Sequence, residues 1–135
     1  MIGVTGATGL VGRALVRSLQ KDGIEVASFS RDPSKLPASE HGRRWPPRAD
    51  DVALDAVVHL LGEPVAGRWS DAKKKAIVSS RIDGTRLLVD AIRALPPAER
   101  PRVLVSASAI GVYGDRGDEE LREDASVAHD FLADV

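Results

Sequence analysis

The sequence predicts an α/β protein in which a parallel sheet carries helices on its faces. Short apolar runs alternate along the chain with segments whose apolar residues recur every three or four positions, the patterns of buried strands and of amphipathic helices. A glycine-rich turn, Gly6–Gly12, joins the first apolar run to the first helical segment. Strands separated by helices pair in parallel through right-handed crossovers, so one open parallel sheet is expected.

The first half of the chain is expected to form a β-α-β unit followed by an irregular segment. Met1–Thr5 is an apolar run that leads into the glycine turn, which predicts a buried strand. A helix should follow and end at Gly23. Its apolar residues at helical spacing are Leu10, Val11, Ala14, Leu15 and Leu19. Ile24–Ser30 predicts the second strand, and residues 33–51 should be irregular, with a short strand near Trp45.

The second half of the chain continues the alternation of strands and helices. Ala56–Leu61 predicts a buried strand, and residues 70–95 predict a long helix that ends at the two prolines after it. Arg102–Ser106 predicts a further strand, and residues 111–126 predict a charged loop. The sheet is therefore expected to be truncated after about its fifth strand.

Length and composition predict one soluble domain over residues 1–135. Charged residues make up 29% of the chain, and the net charge of −1 gives no general attraction to nucleic acid or to an anionic membrane. There is no cysteine, which excludes disulfides and thiolate chemistry, and no apolar run reaches the length of a membrane span. The histidines lack partners at metal-ligand spacing, so no metal site is predicted. These features favour a cytoplasmic protein.

The glycine turn is typical of a Rossmann-type dinucleotide site. Gly6 permits the tight turn, Gly9 lets the backbone approach a pyrophosphate, and Gly12 lets the helix pack close to the strand. The pyrophosphate would lie on free backbone N–H groups at the positive end of the helix that begins near Leu10. Because connections from strand to helix also need glycine for steric reasons alone, a purely structural turn is the alternative.

The residues at the end of the second predicted strand favour NADPH over NADH. Enzymes that select NADH usually place Asp or Glu there to hold the ribose 2′-hydroxyl. This chain has Ser30 and Arg31 instead, and a guanidinium pairs bidentately with a 2′-phosphate. Asp32 follows directly, and the alternative is that Arg31 is a solvated loop cation without a ligand.

Four separated segments, in this order, resemble one known family. They are Thr5–Gly12, Asp55–Gly67, Ser80–Leu88 and Ser106–Gly114. Together they are similar to the NAD-dependent epimerase/dehydratase family of the short-chain dehydrogenase/reductase superfamily, in its atypical epimerase-like branch. The resemblance covers essentially the whole chain and corresponds to the N-terminal portion of such proteins.

The resemblance implies a set of functional residues. Gly62 would lie against the ribose and pyrophosphate of the cofactor, and Ser106 would begin the segment near its nicotinamide. Ser108 matches the serine that polarises the substrate oxygen, and Arg81 stands where typical members have an asparagine that helps to order a proton-relay water. The residues expected to bind the cofactor are Gly6, Thr8, Gly9, Leu10, Val11, Gly12, Ser30, Arg31, Leu61, Gly62, Glu63 and Ser106. Those expected to act in catalysis are Ser108 and Arg81.

Three polar residues near these motifs also have simpler interpretations. Ser108 follows a strand end, where serine is common without a function. Arg81 shares a predicted helix face with Ile77, Thr85, Leu88, Ile92 and Leu95. A cation in such a stripe needs a partner or a cleft, unless its stem is buried and its head reaches solvent. His59 lies within an apolar strand and is interpreted as a hydrogen-bonded core residue.

The chain lacks the Tyr-x-x-x-Lys pair that supplies the general acid/base in typical members of the family. Its one tyrosine, Tyr113, precedes the position of the catalytic helix, and Gly117 stands four residues later. Val135 falls about where that helix would begin, and the substrate-binding C-terminal part is absent from the sequence. We therefore expect the NAD(P)-binding domain of an epimerase/dehydratase-like oxidoreductase, inactive as this fragment, whose full-length form acts on a small carbonyl compound or a nucleotide sugar. A non-catalytic NADPH-binding sensor or regulatory module is the alternative.

Overall fold

The computed structural model of the chain describes residues 1–135 and contains five strands and four α-helices. The strands are β1 (Ile2–Thr5), β2 (Val26–Ser30), β3 (His41–Arg44), β4 (Ala56–His59) and β5 (Val103–Ser106). The helices are α1 (Leu10–Lys21), α2 (Asp71–Val78), α3 (Gly84–Ala94) and α4 (Phe131–Asp134). All pairs of neighbouring strands are parallel, in the order β3-β2-β1-β4-β5. The predicted Rossmann-type parallel sheet is confirmed.

The direction in which strands are added reverses at β1. The chain first adds β2 and β3 on one side of β1, then crosses back and adds β4 and β5 on the other side. Thr5, the last residue of β1, consequently lies between Phe29 of β2 and His59 of β4. In open parallel sheets, ligands bind outside the carboxyl ends of the strands at this reversal.

The helix expected over residues 70–95 consists of three consecutive segments. α2 ends at Val78, Ser79–Asp83 forms a short π-helix, and α3 begins at Gly84. A π segment is a local departure from the regular spacing of an α-helix and is frequent at functional sites. The predicted long helix is confirmed as a continuous helical run, and the π segment at its middle is a feature that the apolar period does not reveal.

Smaller differences concern the ends of elements. β2 begins at Val26 rather than Ile24, because the Ile24 N–H donates to the Leu19 carbonyl (2.9 Å) and closes the end of α1. β4 ends at His59 rather than Leu61. The short strand expected near Trp45 is β3, which ends one residue before it.

The core lies on both faces of the central strands. On one face α3 covers the sheet, and its cluster consists of Ala27, Phe29, Val52, Leu54, Val57, Leu88, Ala91 and Leu95. On the other face α1 covers a smaller cluster of Val4, Ala7, Val16 and Val26. The apolar side chains of β5, in contrast, are exposed. None of the helices is long and apolar enough to span a bilayer.

Candidate functional site

The glycine turn between β1 and α1 is held by two close backbone contacts. Gly6 has a φ of +68°, and a Cβ atom there would lie 2.5 Å from the Leu60 carbonyl oxygen. A Cβ atom on Gly12 would lie 2.2 Å from the Gly6 carbonyl oxygen. Gly12 therefore lets α1 approach the turn itself rather than the strand. A Cβ atom on Gly9 would meet only the Gly6 oxygen, at 3.2 Å, so packing within the chain demands glycine least at this position.

The first turn of α1 presents free hydrogen-bond donors. The Gly9 N–H donates to the Gly6 carbonyl (2.9 Å), whereas those of Leu10, Val11 and Gly12 have no acceptor in the chain, and no side chain caps the helix. The side chains of Leu10 and Val11 are 84% and 64% exposed. Free N–H groups and the positive helix end together form a site for a phosphate group.

At the end of β2, the carboxylate of Asp32 is engaged locally. It accepts a hydrogen bond from Ser34 Oγ (2.6 Å) and pairs with Lys35 Nζ (3.3 Å). These two contacts hold the pKa of Asp32 below its usual range. The exposed guanidinium of Arg31, in contrast, forms no ion pair within the chain. The cation at this strand end is available to a ligand, and the acid beside it already has partners.

The loop that follows β4 is anchored by the π segment. Ser80 Oγ accepts the Glu63 N–H (2.8 Å), and Arg81 Nη1 donates to the Glu63 carbonyl (3.0 Å). A Cβ atom on Gly62 would lie 3.1 Å from Arg81 Cζ, so the guanidinium lies directly against the loop backbone. The guanidinium of Arg81 thus has the Glu63 carbonyl as a hydrogen-bond partner. This bond offsets the free-energy cost that is expected for a cation on an apolar helix face.

The Glu63 side chain forms an ion pair with Lys73 of α2. Its Oε1 lies 2.7 Å from Lys73 Nζ, and this hydrogen bond, together with the charge of Lys73, lowers the pKa of Glu63. The sequence does not predict a site role for Lys73 or Ser80, although Ser80 opens one of the family-like segments, and the lysines at the start of α2 have the pattern of a solvated helix face. The spacing of Lys73 and Ser80 from Glu63 along the chain carries no periodic signal.

A cleft of about 760 Å³ lies at the carboxyl ends of β4 and β5, beside α3. Six of the residues expected at the site line it. They are Leu61, Gly62, Glu63, Arg81, Ser106 and Ser108. The remaining expected residues, namely the glycine turn, Ser30 and Arg31, lie outside this cleft, at the carboxyl ends of β1 and β2. The expected residues therefore form two groups along one edge of the sheet.

Tyr113 ends a short 3-10 turn after β5 and does not line the cleft. Gly117 follows four residues later with a φ of +57°. A tyrosine needs a lysine about one helical turn away to form the acid/base pair typical of the family, and Tyr113 and position 117 do not share an α-helix. Tyr113 is therefore not a candidate for the general acid/base.

His59 joins three elements beneath the site. It is buried at the end of β4, with Nδ1 2.8 Å from Thr5 Oγ1 of β1 and Nε2 3.2 Å from Thr85 Oγ1 of α3. The Trp45 ring stacks near it, with ring centroids 6.2 Å apart. This arrangement agrees with the interpretation of a hydrogen-bonded core histidine. Its threonine partners are 54 and 26 residues away in the sequence, so only the fold identifies them.

Burial makes His59 a source of pH-dependent stability. It lowers the pKa of His59 below the ordinary value of 6.5, so the unfolded chain binds the proton more readily than the folded one. The stabilisation is complete above that ordinary value and is lost as the pH falls through it toward the lower folded pKa. We expect the free energy of unfolding to fall by at most about 1.4 kcal/mol per pH unit in this window.

Urea unfolding between about pH 7.5 and pH 5.5 measures this effect, because the usual carboxyl pKa values lie below that range. The variant His59→Asn keeps a polar side chain that does not titrate there. Its unfolding free energy should depend less on pH than that of the unsubstituted chain. Equal pH dependence in the two proteins would show that His59 does not contribute.

Comparison with known proteins relates this geometry to a family. The model of the NAD dependent epimerase/dehydratase family matches residues 2–131. The "Epimerase family protein SDR39U1 homolog, chloroplastic" of Arabidopsis thaliana is 37% identical over 99% of this chain, which covers 41% of the plant protein.

Two solved structures share the fold of the chain. The human epimerase family protein SDR39U1 (isoform 2), crystallised with NADPH, has a TM-score of 0.82 and 30% identity, over 98% of this chain and 45% of the human one. The nucleoside-diphosphate sugar epimerase from Corynebacterium glutamicum has a TM-score of 0.77 and 37% identity, over 98% of this chain and 28% of the other. The chain spans less than half the length of each of these relatives.

Proposed function

Because the chain belongs to the NAD-dependent epimerase/dehydratase family, we propose that it is the dinucleotide-binding domain of an epimerase-like oxidoreductase and that it binds NADPH. The observation that carries the proposal is the group of three unpaired N–H donors at the start of α1, next to the strand reversal. Residues 1–135 are the NAD(P)-binding part, and residues outside them complete the substrate site. The greater length of the relatives supports this division.

Each half of the dinucleotide has residues suited to it. The pyrophosphate rests on the N–H groups of Leu10, Val11 and Gly12, with Gly9 leaving room for its approach. The adenosine ribose lies at Ser30 and Arg31. The nicotinamide half would be held by Leu61, Gly62, Glu63 and Ser106, which line the cleft, and the bound cofactor would supply hydride transfer there.

The preference for NADPH follows from the two charges after β2. A 2′-phosphate finds the unpaired guanidinium of Arg31, while the carboxylate of Asp32 is held by Ser34 and Lys35. The 2′-hydroxyl of NADH would gain little binding free energy from Arg31. It could bind the Asp32 carboxylate only in competition with Ser34 and Lys35. The human relative was crystallised with NADPH, which supports the choice of this cofactor.

The whole protein is proposed to act on a carbonyl compound or a nucleotide sugar. Ser108 lies past the end of β5 in the cleft, where its hydroxyl can donate to a substrate oxygen. The catalytic contribution of Arg81 is to keep the Gly62–Glu63 backbone in place beside the reacting groups, because its guanidinium is bound to that backbone. The neighbour from Corynebacterium glutamicum, a nucleoside-diphosphate sugar epimerase, supports the nucleotide-sugar class.

Cofactor preference is tested by the variant Arg31→Ala. A hydrogen bond to a charged group contributes about 1.5–3 kcal/mol, so the Kd for NADPH should rise by about 10- to 150-fold and that for NADH should change little. Arg17→Ala is the matched control, since it removes an exposed cation from the middle of α1. Calorimetric titration measures both ligands, and tighter binding of NADH than of NADPH by the unsubstituted chain would overturn the assignment.

A non-catalytic NADPH sensor is the second candidate. It is favoured by one observation, the position of Tyr113 outside the cleft with glycine rather than lysine four residues later. Both candidates bind the dinucleotide, and only turnover distinguishes them. Location in the cytoplasm stays a prediction, since the plant relative is named as chloroplastic.

A further inference from the structure

A second arginine lies beside the proposed 2′-phosphate position, at the end of the neighbouring strand. Arg44 is the last residue of β3, and the register pairs it with Ser30, the last residue of β2. The hydrogen bonding between the two strands continues one residue beyond β3, because the Trp45 N–H donates to the Ser30 carbonyl (2.8 Å). The backbone of Arg44 is therefore fixed next to the residue that precedes Arg31.

The alternation of side chains along β3 gives its two arginines different environments. Arg44 shares a sheet face with Ser30, whereas Arg43 is paired with Phe29 and lies on the opposite face. Arg43 Nη1 lies 3.6 Å from the Asp51 carboxylate, so it has a counterion within the chain. Arg44 is exposed and has no such partner.

The Arg44 guanidinium is directed toward the loop that carries Arg31. Its Nη1 donates to the Arg31 carbonyl at 3.5 Å. Ser34 and Lys35 are the main causes of the lowered pKa of Asp32, and the charge of Arg44 is near enough to add to their effect. Arg31, which follows β2, and Arg44, which ends β3, thus lie side by side at one point of the sheet edge, and neither guanidinium is in an ion pair, because Asp32 is paired with Lys35 and Glu63 with Lys73.

We propose that Arg44 is a second determinant of NADP over NAD, which contacts the 2′-phosphate together with Arg31. The inference rests on the proposed function and extends it from β2 to β3. A phosphate monoester carries nearly two negative charges at neutral pH and has three acceptor oxygens, so it can engage two guanidinium groups at once. A 2′-hydroxyl has neither the charge nor the acceptors for a second arginine.

The test compares Arg44→Gln and Arg44→Lys with the unsubstituted chain. Calorimetric titrations use NADPH, NADH, 2′,5′-ADP and 5′-AMP at constant ionic strength. In Arg44→Gln the Kd values of NADPH and 2′,5′-ADP should rise about tenfold, while those of NADH and 5′-AMP should stay the same. Arg44→Lys should recover part of the lost affinity for NADPH and 2′,5′-ADP. Lysine keeps the positive charge but lacks the planar guanidinium that binds a phosphate through two hydrogen bonds.

Two controls separate a contact from a general charge effect. Arg17→Gln removes an exposed cation from the middle of α1, and it should leave all four affinities unchanged. Arg43→Gln removes the neighbouring arginine on the opposite face, and it should not alter the ratio of NADPH to NADH affinity. An equal loss of NADPH affinity in Arg17→Gln would contradict a contact at Arg44.

The outcomes distinguish this inference from the proposed function. If the unsubstituted chain prefers NADPH, Arg31→Ala removes the preference and Arg44→Gln keeps it, then the role of Arg44 is refuted and the proposed function stands. If the unsubstituted chain binds NADH as tightly as NADPH, or binds neither, both are refuted. A selective loss of the 2′-phosphate ligands in Arg44→Gln supports the inference.

Discussion

Replacing Gly9 with valine should abolish the binding of NADPH and NADH while the chain still folds. The branched side chain would occupy the space in front of the three free N–H groups of α1, which a pyrophosphate must reach. Three lost contacts to a charged group, at about 1.5 kcal/mol each, amount to about 4.5 kcal/mol, which is more than half of the roughly 8 kcal/mol with which a micromolar ligand binds. Within the chain the new Cβ atom would meet only the Gly6 oxygen, at 3.2 Å.

Valine is a poor helix N-cap, so this variant should lose about 1 kcal/mol of stability. The variant Gly9→Asp separates a loss of binding from a loss of stability. The backbone of Gly9 is extended (φ −73°, ψ 174°), which suits an aspartate cap, so this variant should be at least as stable as the original. Its carboxylate would accept the same N–H groups and repel the pyrophosphate.

Ala14→Val is the matched control for added bulk, since it is exposed one turn further along α1. Circular dichroism measures folding, and fluorescence titration measures binding. If Gly9→Val and Gly9→Asp are folded and bind NADPH with unchanged affinity, the glycines serve packing alone. That result would remove the basis of the proposed function.

Most of the fold follows from local patterns in the sequence. The apolar runs and the glycine turn predict the strands and α1, because each is specified by residues close together in the chain. The π segment at Ser79–Asp83 is not predictable in this way. It is stabilised by contacts with the loop after β4, such as the Ser80 hydroxyl with the Glu63 N–H, which join residues 17 apart.

The candidate site is predictable in its position but not in its contacts. Parallel strands bring their carboxyl ends to one edge, and Gly62, Ser106 and Ser108, which end or follow neighbouring strands, line one cleft. Whether a charged residue is free or paired depends on the geometry of the side chains around it, which the sequence pattern does not specify. Asp32 and Arg31 are adjacent in the sequence, yet only the structure shows that the acid is engaged and the cation is not.

The last expected result is that the 135-residue chain has no dehydrogenase or epimerase turnover of its own. Proton transfer needs an acid/base, and the one tyrosine lies outside the cleft without a lysine one helical turn away. Hydride transfer needs a substrate fixed within about 3–3.5 Å of the reacting atom. Ser106 and Ser108 are exposed, as are the apolar side chains of β5 beside them, so the chain encloses no such position.

The assay follows NADPH oxidation with a panel of carbonyl compounds and nucleotide sugars. Ser108→Ala is the diagnostic variant, because its hydroxyl is the proposed donor to the substrate oxygen and its removal leaves the distant phosphate site intact. Binding of NADPH should be equal in the two proteins. Turnover that disappears in Ser108→Ala would refute the expectation and make Ser108 catalytic in this chain.

The same assay on a version extended with the C-terminal part of a homologous family member separates the two candidate functions. An oxidoreductase domain should gain turnover when the acid/base and the second wall of the cleft are supplied, and lose it again on Ser108→Ala. A sensor should bind NADPH in both lengths and turn over in neither. Since the proposed pyrophosphate and 2′-phosphate contacts lie in the first β-α-β unit and the proposed reacting groups lie at β4 and β5, we expect that substitutions can remove binding and turnover independently.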